Sequence, residues 1–167
     1  MMTLSLFPDS ATADIEGDYR YCLERTWDLE LPRTCWLMLN PSIADAETDD
    51  HTIRVCTAFT RAWGHGSLVV ANLFAYRATD PKRLYTAADP IGPRNDEAIL
   101  AAVSNADLVV AAWGNHGAFQ GRSLHVRALL TQHGIRLTAL RITKSGEPSH
   151  PGRLPHALRP VPFEVAA

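Results

Sequence analysis

No apolar run in this chain reaches the roughly 18–20 residues that a membrane-crossing helix needs. The N-terminal MMTLSLFPDSATADIEGD has no basic lead before its short apolar stretch. A membrane-bound or exported class is not expected, and the chain reads as cytoplasmic. Cysteine is scarce: Cys22, Cys35 and Cys56 are odd in number and lack CxxC spacing. Buried free thiols are therefore expected rather than a disulfide framework, a zinc site or an iron–sulfur cluster. Phosphate loops of the GxGxxG or GxxxxGKS type are missing, which argues against a dinucleotide or ATP enzyme. Internal repeats and low-complexity stretches are missing as well. The net charge is only −2, too little for a protein coated in nucleic acid over its whole surface.

What is present is ordinary globular material. A length of 167 residues fits one domain, and 46% hydrophobic with 20% charged residues is the composition of a packed core under a polar surface. Charge is unevenly placed along the chain. Residues 1–60 hold 11 Asp/Glu against 4 Lys/Arg, whereas residues 113–167 hold 2 against 7, including Arg141, Lys144, Arg153 and Arg159. That asymmetry leaves room for a locally basic face.

The apolar pattern predicts alternating strands and helices. YRYCLERTW (19–27) alternates like a half-buried edge strand, and TCWLML, SLVVANLF, ADLVVAAW and GIRLTALRI are short continuous apolar runs suited to inner strands. Between them, HTIRVCTAFTRAWG has helical spacing after the capping pair Asp49 and Asp50, and GPRNDEAILAAVSNA and FQGRSLHVRALLTQHG read as two further helices. The expected fold class is α/β: a three-layer α/β/α sandwich with a mostly parallel central sheet. Residues 1–17 are expected to be a flexible N-terminus. TKSGEPSHPGRLPHALRPVPF, within 143–167, is too rich in breakers for a regular element and reads as a long functional loop and tail.

In open α/β sheets ligands bind beyond the carboxyl ends of the strands. The predicted strands end in Asn40-Pro41-Ser42, in Asn72, in Gly114-Asn115-His116 and in His150-Pro151. These ends direct amides and imidazoles to one rim. An asparagine carries both a donor and an acceptor, which suits the edge of a nucleobase, and a histidine can donate to an oxygen that gathers negative charge.

LNPSIADAETDDHTIR, ANLFAYRATDP, DPIGPRND and KSGEPSHPGRL, in that order over roughly residues 19–157, resemble the signature of DUF1643, a family without an assigned activity. A second resemblance is to the uracil-DNA glycosylase superfamily. LMLNPS is similar to its first-strand motif, VVAN to the strand that ends in a base-reading asparagine, and SHPGRL to its late His-Pro loop. Ser42 and Gly152 depart from that pattern, where glycine and serine are common, and the run from Asp45 to Asp50 has no counterpart.

This second resemblance implies a glycosylase-like topology and a hydrolase of the N-glycosidic bond of a flipped base, with DNA or a nucleotide as partner and no metal or cofactor. Asn40 would orient water and His150 would steady the departing base, with Asp45 as an alternative proton acceptor. Asn72 would read the base edge, Phe74 or Tyr76 would stack on the ring, and Leu154 would act as the wedge after Pro151. Pro41, Ser42 and Asn115 complete the expected binding set. Two other classes fit the same residues: a nucleobase-binding module without catalysis, and a metal-dependent phosphohydrolase using Asp45, Asp49 and Asp50. A monomer is the default.

Overall fold

Residues 9–164 are described by the structure, a computed structural model. Seven strands occur in chain order: β1 (Ser10–Glu16), β2 (Tyr19–Thr26), β3 (Arg33–Met38), β4 (Ser67–Asn72), β5 (Leu108–Ala111), β6 (Thr138–Ala139) and β7 (Val161–Pro162). Three α-helices lie between them: α1 (His51–Ala62), α2 (Asn95–Ser104) and α3 (Arg122–Gln132). The strands form one sheet in the order β1-β2-β4-β3-β5-β6-β7.

The sheet is mixed, which corrects the expectation of a mostly parallel one. β4, β3, β5 and β6 run parallel, but β1 pairs with β2, β2 with β4 and β6 with β7 in antiparallel register. The chain enters through a hairpin turned at Gly17, whose φ of 59° is open to glycine without strain. That hairpin makes β2 an inner strand rather than an edge, and Ser10–Glu16 form a strand where a flexible N-terminus is expected. At the other border the long run GIRLTALRI forms a strand of only two residues, with the tail paired against it as β7 and a separate bridge from Ile142 to Pro148.

Period-2 alternation in the inner strands divides the core between two faces. Cys35, Leu37, Val69, Ala71, Val109 and Ala111 pack with Ile99, Val103, Val126 and Leu130 from α2 and α3. Trp36, Met38, Leu68, Val70, Val110 and Ala112 pack with Ile53, Val55, Cys56 and Phe59 from α1. The apolar side chains of β3, β4 and β5 thus find apolar partners on both faces, the reason these runs carry little alternation of polarity. α1 starts where Asp50 accepts a hydrogen bond from the Ile53 N–H at 2.9 Å, a cap worth about 1 kcal/mol. It ends at Gly64, with φ of 79°. Among the described residues no helix is long and apolar enough to cross a membrane.

Candidate functional site

β4 lies on one side of β3 and β5 on the other, so the connections leaving β3 and β4 part in opposite directions along the sheet. A crevice forms where they part, at the carboxyl ends of the strands. It opens into a cavity of about 660 Å³ whose lining includes Met38, Asn40, Asn72, Trp113, Asn115 and His150.

Asn72 ends β4 and is 1% exposed, yet neither its amide nitrogen nor its amide oxygen has a hydrogen-bond partner among the described residues. Its backbone is fixed from behind, because Asn95 Nδ2 donates to the carbonyls of Asn72 and Leu73 at 2.8 and 2.9 Å. Asn40, at the end of β3, is half-buried. Its Nδ2 donates to the Ala78 and Pro41 carbonyls at 2.8 and 3.1 Å. Both donor hydrogens are thereby used to tie the two strand-end loops, and only Oδ1 is left to accept. Pro41 is buried, and its carbonyl also accepts from the Ala78 N–H at 2.9 Å.

His150 reaches the cavity because the loop before it is anchored twice. The Gly114 N–H donates to the Pro148 carbonyl at 2.7 Å. The Glu147 carboxylate accepts from Trp113 Nε1 at 2.6 Å and from the Ser123 hydroxyl at 3.0 Å. His150 Nδ1 accepts from the Gly152 N–H at 3.0 Å, so in the neutral ring the proton sits on Nε2. Loss of solvent, with nearby His51 adding to it, lowers the His150 pKa from its ordinary value and favours that neutral form. Asn115 is exposed and its Oδ1 accepts from the Thr143 hydroxyl at 2.7 Å. Ser42 lies on the rim, with its hydroxyl 3.4 Å from that of Thr79.

Several expected site residues lie elsewhere. Phe74 is fully buried and packs on Phe119 in the α2/α3 core together with its neighbour Leu73, so the two-residue alternation of faces breaks after Asn72. Tyr76 is half-buried beside Tyr19, at the start of β2. Leu154 packs down on the α1 side of the core instead of standing out as a wedge, and Pro151 is buried in the short 3-10 turn before it. Asp45 is outside the cavity. Its carboxylate accepts from the Glu47 and Thr48 N–H groups at 2.9 and 2.8 Å, and these bonds hold its pKa below the usual carboxylate value.

The three carboxylates of the metal-dependent alternative are employed separately. Asp45 closes its own turn, Asp49 pairs with Arg25 at 2.8 Å, and Asp50 caps α1. Among the described residues no group of three or more His, Cys, Asp or Glu is placed to hold a metal ion.

Sequence reasoning missed Arg20 and Trp113, which line the cavity, and placed Asp50 and His51, which also line it, only in the acidic run and at the start of α1. His116, which follows Asn115 after the end of β5, also lines the cavity, and its Nδ1 lies 2.7 Å from the Tyr85 hydroxyl. Arg20 gave no signal in the sequence: an arginine in an alternating strand reads as a solvent-facing charge, yet it is 2% exposed.

The profile of a protein family of unknown function, DUF1643, matches residues 20–152. The chain belongs to DUF1643. No curated protein matches it, and no solved structure does. The match spans β2 to the 3-10 turn after His150 and so covers every strand end that lines the cavity. Nothing in these comparisons supports the resemblance to the uracil-DNA glycosylase superfamily.

Proposed function

We propose that this DUF1643 protein binds a nucleobase in the cavity and hydrolyses its N-glycosidic bond. The observation that carries this reading is the buried, unpartnered Asn72 amide. Leaving such a group unpaired costs about 1–3 kcal/mol, and a ligand edge that offers a donor beside an acceptor recovers that cost. The parallel order β4-β3-β5-β6 and the helices on opposite core faces support the three-layer, glycosylase-like arrangement.

In the reaction, a water oxygen bonds to the sugar carbon while the carbon–nitrogen bond breaks and its electron pair passes to the base. Water supplies the hydroxyl left on the sugar and, overall, the proton taken up by the base. Asn40 Oδ1 accepts from the attacking water, since its own donors are held. His150 Nε2–H donates to the base oxygen on which charge gathers, and one positioned donor of this kind is worth about 3 kcal/mol.

Leu154 is packed down and does not stand out as a wedge, so the reading favours a base in a single strand or a free nucleotide over one flipped from a duplex. Arg141, Lys144, Arg153 and Arg159 are exposed and form no ion pair among the described residues, which suits a polyanionic partner.

A second reading, a base-binding module without catalysis, is favoured by the engaged carboxylates: Asp45 and Asp50 both cap backbone N–H groups. Incubation with oligonucleotides bearing uracil, hypoxanthine or xanthine, followed by alkaline cleavage, separates the two. The expected result is abasic product that falls roughly a hundredfold in His150→Ala, with folding kept. Base binding without product selects the module, and absence of both binding and product ends both readings.

A further inference from the structure

We propose that the α1 end of the cavity is a phosphate subsite, built from Arg20, His51 and the free N–H groups of the first turn of α1. On this view the ligand is a nucleotide, free or within a strand, rather than a bare base. The inference rests on the base-reading role of Asn72 but not on hydrolysis.

Arg20 carries the argument. It sits on β2, lines the cavity and is 2% exposed, yet it has no carboxylate ion pair among the described residues. Its Nη1 donates to the Ala44 carbonyl at 2.9 Å, while Nε has no partner among the described residues. A buried cation without a counter-charge is costly. Burial lowers its pKa to about 10, and the opposing influence of Asp50 only partly offsets this. Anchoring the 42–49 loop does not account for Arg20, because two other arginines already hold it: Arg25 donates to the Asp45 carbonyl and Arg77 to the Ser42 carbonyl.

The neighbouring helix end points to the same ligand. α1 is 12 residues long, and His51, Thr52 and Ile53 line the cavity. The Ile53 and Arg54 N–H groups bond to Asp50, but those of His51 and Thr52 have no partner among the described residues. Free N–H groups at the positive end of a helix dipole bind phosphate oxygens. Among the described residues Asp50 is the one carboxylate lining the cavity, and its Oδ1 is occupied by the Ile53 N–H. A cavity of about 660 Å³ is within the range of sites that enclose a whole small ligand.

The test is calorimetric titration of the intact chain with deoxyuridine, its 5′-monophosphate, inorganic phosphate and a short single-stranded oligonucleotide. The monophosphate or the oligonucleotide should bind about tenfold tighter than the nucleoside, and inorganic phosphate should compete. Whichever of the two is tighter identifies the source of the phosphate. Arg20→Gln should erase the advantage while leaving nucleoside affinity within about twofold. His51→Ala, at an exposed position, should weaken the phosphate-bearing ligand several-fold without moving the melting temperature. Equal affinity for nucleoside, monophosphate and oligonucleotide overturns the subsite, as does an equal loss for all of them in Arg20→Gln. Should Arg20→Gln fail to fold, the wild-type comparison and His51→Ala decide. Unchanged nucleoside affinity in Asn72→Ala would instead count against the base-reading role and is a separate result.

Discussion

Replacing Asn72 with leucine separates what the amide costs the folded chain from what it does for a ligand. In the free protein both polar atoms are buried without partners, a penalty of about 1–3 kcal/mol that leucine, branched at the same position, does not incur. The expected gain is taken at the lower end of that range, about 1 kcal/mol. Backbone disturbance is not expected, since Asn95 holds the carbonyls of residues 72 and 73 whatever side chain is present. For a domain of this size the gain corresponds to a melting temperature higher by roughly 2–4 °C. Thermal and urea unfolding, run beside nucleotide titration, measure the two consequences together. The expected outcome is a more stable protein that no longer binds. A variant less stable than wild type by about 1 kcal/mol or more would show that the amide has a structural partner. Retained binding would refute the base-reading role.

Acidification should remove activity through His150. Its folded pKa lies below the ordinary 6.5, so the unfolded chain takes up the proton first and the His150 contribution to stability rises with pH through that window. Rates should be flat above 6.5 and fall only below it as the ring charges and loses the Gly152 N–H contact; an acid limb lying above 6.5 excludes His150. Asn40→Ala should lower stability by about 1–2 kcal/mol in urea unfolding, because two loop carbonyls lose their donor, and unchanged stability counts against its tying role. Gly117→Ala should destabilise the fold and shift Trp113 fluorescence, since an added Cβ would lie 2.2 Å from Trp113 Cδ1. Asp45→Asn should leave product formation within about twofold of wild type, whereas a loss near that of His150→Ala would restore Asp45 as a base.

The strands and helices themselves were legible because their signals are local. α1 follows from Asp50 and the spacing of Ile53, Cys56 and Phe59, and β3, β4 and β5 from unbroken apolar runs. Strand direction was not legible, since nothing in YRYCLERTW says whether β2 runs with or against β4. At the site, Asn40, Ser42, Asn72, Asn115 and His150 converge as their strand-end positions suggest. Phe74 and Tyr76 do not, because a turn decides which way each ring faces and the period-2 rule ends with the strand. The wedge role that the resemblance implies for Leu154 needs an outward side chain, whereas after the 3-10 turn at Pro151–Arg153 it packs on the α1 side of the core.

By itself, the order of residues determined the α/β class, the approximate span of the inner strands and helices, and the polar residues at the strand ends, all consequences of side-chain period and capping chemistry between near neighbours. Only the tertiary structure decided the mixed sheet, the burial of Arg20 beside the α1 terminus, and the use of the acidic run as separate caps and an ion pair. The physical reason is that pairing, desolvation and hydrogen-bond saturation depend on groups far apart in the chain, so whether an amide or a guanidinium is left without a partner is settled only once every neighbour is in place.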